Sequence, residues 1–243
     1  MTRLALHDLT VGYGRRPAAH HVTGVLTAGD GLAVMGPNGA GKSTLLAAIA
    51  GRLAPLSGRI ERTGAVGYLP QAPRLNLALP IRAFDVAAMG AAARTGAFCG
   101  LSRADRVRVA DALATVGLAD LASRPLGAMS GGQRQRLLFA RLMVQDAAVL
   151  LLDEPFAAID ADTTADLLQV IAGWRSEGRI VIAALHDLET ARAAFPQALL
   201  LARDAIAWGP TPEVLTPDRL ARARTMQQGW VEDAHVCDRG HAA

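Results

Sequence analysis

Apolar residues at Leu4, Leu6, Leu9 and Val11, with glycines at Gly12, Gly14 and Gly24, predict short strands and turns over residues 1–30. The run Gly31-Leu32-Ala33-Val34-Met35 predicts a short buried strand, residues 45–50 a helix, and residues 65–69 another short strand. The pattern changes over 72–128, which is Ala-rich and helical. There Pro80 opens a helix over 81–89, and Gly90 to Gly100 reads as a glycine-punctuated link. A second helix spans 102–116, with Ser102 and Asp105 as an N-terminal cap pair. Residues 129–208 return to alternating helix and strand. A helix over 133–144 carries apolar residues at Leu137, Leu138, Ala140, Leu142 and Met143, and 148–152 and 180–185 are near-continuous apolar runs. Such runs are what parallel strands covered on both faces look like, so the fold expected is α/β with a mostly parallel sheet. Residues 209–228 read as helical decoration, and there is no repeat and no long linker.

Composition narrows the picture. A chain of 243 residues allows one domain or two small ones, and 51% hydrophobic residues suffice for a sizeable core. Aromatics are only 4%, so Ala, Leu and Val fill that core. The formal charge of +3 is too small to imply nucleic-acid binding. No segment reaches the ~18 apolar residues of a membrane helix, and His7 and Asp8 interrupt any signal-type core at the N-terminus. The chain is therefore expected to stay in the cytosol. Cys99 and Cys237 form no metal-type pair and no disulfide scaffold, and His20-His21 reads as a loop pair. One count stands out: of 25 basic residues, 24 are Arg and one is Lys, at position 42. Coding bias accounts for scarce lysine but not for where the lone one sits.

Lys42 lies in Gly36-Pro37-Asn38-Gly39-Ala40-Gly41-Lys42-Ser43-Thr44, which fits the phosphate-loop pattern between a strand and a helix. That arrangement turns several backbone N–H groups toward one anion. Lys42 would supply charge to the β- and γ-phosphates, the Ser43 hydroxyl would ligate Mg²⁺, and Thr44 would add a donor. The apolar run before Asp153 and Glu154 ends in two carboxylates, costly to bury unless a cation is near. Asp153 can hold the Mg²⁺ shell and Glu154 can reach the attacking water. A third element, Met129-Ser130-Gly131-Gly132-Gln133-Arg134-Gln135-Arg136, has a small-residue helix start able to bind an anion; taken alone, a capped helix is its commoner reading.

Together these elements resemble the ATP-binding-cassette (ABC) ATPases over roughly residues 3–228. The resemblance implies roles for further residues. Tyr13 stacks on adenine, and Gln71 stands at the junction with a helical subdomain and joins Ser43 and Asp153 toward Mg²⁺. Ser130, Gly131, Gly132 and Gln133 form the signature acting in trans, with Met129 where the family usually has Leu. Asp160 belongs to a loop at the dimer interface, and His186 touches the γ-phosphate. It also implies a P-loop sheet with an N-terminal antiparallel subdomain, one ATPase domain over 1–230, a helical subdomain at 72–128, a second part of the catalytic core at 129–208, and a polar tail at 231–243. One chain carries one phosphate loop and one signature, so two copies are expected to pack head to tail around ATP.

The implied setting is the cytoplasmic face of the plasma membrane, with an integral membrane permease and a periplasmic or extracellular metal-binding protein as partners. Residues 79–90, 102–106 and 116–122, with Pro155-Phe156, resemble the metal-ion importers, most like those for zinc and then manganese. A siderophore or haem importer, or a soluble cassette ATPase driving cluster assembly, are the alternatives; a pure ATP-binding regulator is disfavoured by Glu154 and His186. In the tail, His235, Cys237 and His241, near Asp233 and Asp238, are zinc-type ligands, but their spacing matches no closed site and a polar, frayed terminus is the commoner reading.

Overall fold

The computed structural model describes residues 2–14, 16–71, 77, 79–96, 100–157 and 159–228. Its strands and α-helices run in chain order β1 (Arg3–Tyr13), β2 (Arg16–Thr27), β3 (Gly31–Met35), α1 (Lys42–Ile49), β4 (Ser57–Arg62), β5 (Val66–Leu69), α2 (Ala83–Ala88), α3 (Ala92–Thr95), α4 (Arg103–Thr115), α5 (Gly131–Gln145), β6 (Val149–Asp153), α6 (Ala161–Ser176), β7 (Ile180–Ala184), α7 (Leu188–Ala194), β8 (Gln197–Ala202), β9 (Asp204–Pro210), α8 (Thr211–Val214) and α9 (Pro217–Gln228). The fold is mixed α/β, as expected. Among the described residues, no helix is long and apolar enough to cross a membrane. The chain falls into two compact units, each continued across breaks in sequence.

One unit comprises Arg3–Thr27, Gly31–Arg62 and, among the described residues, 184–228. Its strands run in the order β4-β1-β2-β9-β8-β3. β1 pairs antiparallel with both β2 and β4, whereas β3 and β8 pair in parallel. Every residue of β3 is buried, which is why its apolar run does not alternate. β1 and β2 are longer than the short strands expected. The apolar phase of β1 moves from Leu4 and Leu6 to Leu9 and Val11, and the register of β1 on β2 shifts between Leu6 and Leu9. Asp8, with φ 44°, is the residue that lets the strand change phase while keeping its apolar face inward.

Three expectations for this region are corrected, the first at Gly12, which lies within β1 opposite Pro17 and not in a turn. Gly24 is no turn but an interior residue of β2: a Cβ there would come within 2.6 Å of the Trp208 ring, so the glycine makes room for an indole. His20 and His21 also lie in β2 rather than in a loop. His20 is buried, which lowers the pKa of its ring, and its backbone N–H donates to the Arg203 carbonyl at 2.7 Å. The His21 ring bonds Asp8 at 2.8 Å.

The other unit holds Thr2, Ala28–Asp30 and Thr63–Ala183. Its strands are ordered β7-β6-β5, with β5 and β6 parallel, and β6 and β7 are buried at every position. α5 packs against α2 and α4, and the buried Phe139 ring stacks on Trp174 of α6 at 5.4 Å. The Ser102–Asp105 cap pair forms as read: the Ser102 hydroxyl accepts the Asp105 N–H at 3.1 Å. Gly90, read as the start of a glycine-punctuated link, sits in a short 3₁₀ turn against α5. The 3₁₀ turn and α3 follow α2 directly, so the helical content extends to Thr95.

Candidate functional site

In the first unit, β3 delivers the chain into the 36–41 loop and α1 leaves it. Gly36 and Gly41 hold φ 147° and 96°. A Cβ on Gly36 would lie 1.9 Å from the Leu201 carbonyl oxygen, and one on Gly41 2.2 Å from that of Ala18. Both contacts are with backbone, so no side chain can be accommodated and the loop is pressed onto β2 and β8. Lys42 is buried, and its Nζ donates to the carbonyls of Gly36 at 2.7 Å and Pro37 at 3.1 Å. The ammonium is thereby folded back over its own loop, its cost of burial offset by two charge-assisted bonds. Asn38, Gly39 and Ser43 are exposed, Ala40 is buried, and Thr44 is half-buried.

His186 follows β7 and is exposed, and it shares a cavity of about 280 Å³ with Gly36, Pro37 and Asn38. Asp187 next to it caps α7, accepting the Thr190 N–H at 2.8 Å and a bond from the Thr190 hydroxyl. Those bonds hold the Asp187 carboxyl below the usual carboxylate range and fix the backbone beside His186. Tyr13 ends β1, paired with Arg16, with 65% of its surface exposed, so an aromatic face is left for a planar ligand.

In the second unit, Asp153 ends β6 and is buried, and the Tyr68 hydroxyl reaches its carboxylate at 3.4 Å. Glu154 adopts φ 51°, a left-handed conformation that costs a non-glycine residue about 1 kcal/mol or more. It turns the chain out of the strand so that the carboxylate accepts a hydrogen bond from Gln71 Nε2.

The same unit joins the signature to Asp160. Ser130 caps α5: its hydroxyl accepts the Gln133 N–H at 3.2 Å, and the Gln133 side chain accepts the Ser130 N–H at 3.0 Å. The capped-helix reading is thus realised in full. Gly131 is open on its Cα side, whereas a Cβ on Gly132 would lie 3.4 Å from the Thr163 hydroxyl and 3.6 Å from an Asp160 carboxylate oxygen. Asp160 caps α6 and accepts the Thr163 N–H at 2.7 Å and hydroxyl at 2.9 Å. These bonds, the backbone one foremost, hold its carboxyl below the usual range.

The donors read for Mg²⁺ are a hydroxyl (Ser43), a carboxylate (Asp153) and a carboxamide (Gln71), all hard oxygen ligands that suit this ion. The loop pressed against backbone at two glycines suits a polyphosphate, so the residues present fit Mg-nucleotide. Ser43 belongs to the first unit and Gln71 and Asp153 to the second. Among the described residues, no group of three His, Cys, Asp or Glu could hold a metal ion. The tail residues Asp233, His235, Cys237, Asp238 and His241 lie outside the described residues, as does Cys99.

Four residues with no role assigned from sequence support the site. Arg203, at φ 65°, donates its N–H to the Ala40 carbonyl at 3.2 Å and braces the phosphate loop. Gln135 donates to the Pro155 carbonyl at 2.6 Å, tying α5 to the segment after Glu154. Arg136 bonds the Thr163 hydroxyl at 3.2 Å and Asp166 at 2.8 Å, so α5 also holds the residue that holds Asp160. Gln135 and Arg136 belong to the element read from Met129 to Arg136 but carried no role of their own there; Arg203 and Thr163 had no signal.

A family model described as ABC transporter matches residues 19–157. The chain is 34% identical over 249 residues to the manganese transport system ATP-binding protein MntB of Bacillus subtilis, covering 99% of both chains. It is 33% identical over 251 residues to the zinc transport system ATP-binding protein TroB of Treponema pallidum, covering 97% of this chain and 94% of that one. Among solved structures it superposes with a TM-score of 0.85 and 29% identity on an inward-facing ABC transporter provisionally assigned to the metal-chelate type, covering 93% of this chain and 90% of that one.

Proposed function

The chain belongs to the ABC transporter family, whose ATP-binding domain hydrolyses ATP, and from that premise we propose that it powers import of a divalent transition-metal ion, zinc or manganese. One observation carries the cargo reading: relatives named for manganese and zinc transport align with nearly the whole chain, end to end. Zinc is the cargo favoured by the resemblance over residues 79–90, 102–106 and 116–122 with Pro155-Phe156.

In this reading Tyr13 stacks on the base, and the backbone of residues 36–41 with Lys42 and Thr44 holds the phosphates. Ser43, Asp153 and Gln71 hold Mg²⁺, which when bound neutralises phosphate charge. Glu154, aimed by its bond from Gln71, orients and polarises the attacking water. His186 contacts the terminal phosphate from the cavity that it shares with the loop. Ser130, Gly131, Gly132 and Gln133 of a second copy, with its Asp160, cover the nucleotide, so a head-to-tail homodimer closes on ATP and opens after hydrolysis. The subunit works peripherally at the cytoplasmic face of the plasma membrane, with a multi-span permease and an extracytoplasmic metal-binding protein.

The test is purification from membranes followed by reconstitution in vesicles. The chain is expected to come out with a hydrophobic permease, and ATP turnover in the complex is expected to rise with Zn²⁺ or Mn²⁺. Turnover indifferent to both ions but raised by a ferric siderophore or haem would overturn the cargo. Recovery of an active ATPase with no membrane partner would overturn transport.

A further inference from the structure

The cavity beside the phosphate loop has a wall that the roles above do not use. Besides Gly36, Pro37, Asn38 and His186, it is lined by Leu220, Ala223 and Arg224 of α9. Met35, Leu188 and Leu200 complete the lining. Among the lining residues none is acidic, and the two that can carry positive charge, His186 and Arg224, are both exposed.

Arg224 makes no hydrogen bond or ion pair with a described residue, unlike Arg192 and Arg219 nearby, which are spent on the carbonyls of Leu215 and Glu213. Ala223 is buried, so the register of α9 is set by packing and Arg224 is carried to the cavity with it. At about 280 Å³ the cavity is at the small end for an organic ligand. That size suits a single phosphate group better than a nucleotide.

We propose that Arg224 is a phosphate-binding residue: its guanidinium, with His186 and the start of the loop, takes the oxygens of a phosphate group in this cavity. The group is either the terminal phosphate of bound ATP or the orthophosphate released from it. The guanidinium fork matches two such oxygens at once. This rests on the ATPase reading and adds to it a residue of the C-terminal helix.

The experiment uses the full chain with Arg224→Gln and Arg224→Lys, and with Arg222→Gln as a control on the same helix that does not line the cavity. Calorimetry measures ATP and ADP affinity, and turnover is measured against added orthophosphate. If the terminal phosphate is the ligand, Arg224→Gln weakens ATP about tenfold or more with ADP unchanged, and Lys restores part of it. If free phosphate is the ligand, the same variant leaves ATP affinity intact and loses inhibition by orthophosphate. Equal loss of ATP and ADP affinity, loss equal to that of Arg222→Gln, or no change in any readout would overturn the proposal. A wild-type chain that bound no ATP would instead strike the ATPase reading itself.

Discussion

Gln71 donates its side-chain N–H to the Glu154 carboxylate across 83 residues of sequence. The contact is a product of strand register. β5 and β6 pair in parallel with Leu69 opposite Leu152, and each partner of the bond stands two positions beyond that pair. The left-handed turn at Glu154 then presents the carboxylate to the carboxamide. Glu154→Gln keeps a side chain of the same length that can still accept the Gln71 bond, but it removes the charge proposed to polarise the attacking water. We expect ATP binding within about twofold of wild type and turnover lower by about 10²–10⁴-fold. A stable dimer should accumulate with Mg-ATP. Phosphate release and size-exclusion chromatography read the two effects, and near-normal turnover would contradict the role given to Glu154.

Lys42 is the only lysine, and its ammonium bonds two carbonyls of its own loop. Removing it leaves those carbonyls unpaired and takes away a charge that phosphates would share. Lys42→Ala should therefore bind ATP at least about tenfold more weakly. Lys42→Arg should not restore it, because a planar guanidinium cannot replace a compact ammonium under so close a loop. A fluorescent-nucleotide titration, with thermal melts to confirm folding, reads both. Unchanged affinity in the alanine variant would remove the loop from nucleotide binding.

Much of this was legible in the sequence because it is local. The buried runs of β3 and β6, the spacing of the phosphate loop and the Ser102–Asp105 cap depend on neighbours a few positions apart. What was not legible depends on residues that only tertiary structure brings together. Gly24 reads as a turn until Trp208 of a distant strand is placed on it. The phase change between Leu6 and Leu9 is visible as spacing, but its cause, a left-handed Asp8, is not. Arg136 and Thr163 lie 27 positions apart, and nothing in their spacing says that one holds the other.

Gly90 is a similar case, with a measurable consequence. A Cβ there would lie 2.2 Å from the Arg141 carbonyl oxygen and 3.0 Å from the Gln145 nitrogen, both backbone atoms of α5. Neither can swing aside, so the 3₁₀ turn after α2 would have to lift from α5. Gly90→Ala should destabilise the fold by about 1–3 kcal/mol. Thermal or urea unfolding reads this directly. A turn held loosely against α5 would tolerate the methyl group, so an unchanged melting temperature would mean that the close contact is not stabilising.

Asp160 gives a dependence on pH whose sign follows from its bonds. The Thr163 N–H, and then the Thr163 hydroxyl, hold its carboxyl below the usual carboxylate range. A group with a depressed folded pKa contributes stability that is fully present above its unfolded pKa of about 4 and is lost as pH falls through the folded value. Asp160→Asn keeps a good helix cap but cannot titrate. The stability difference between wild type and variant should therefore be constant from pH 7 to about 5 and then move steadily against the wild type on further acidification. Asp105 and Asp187 are held low in the same way, but they are common to both proteins and cancel in the difference. Because Asp160 is exposed, the effect should also shrink as salt is raised. Urea midpoints across a pH series decide it: a difference unchanged between pH 7 and pH 3 would mean that the cap is made equally well by the neutral acid, and that the charge of Asp160 does nothing for α6.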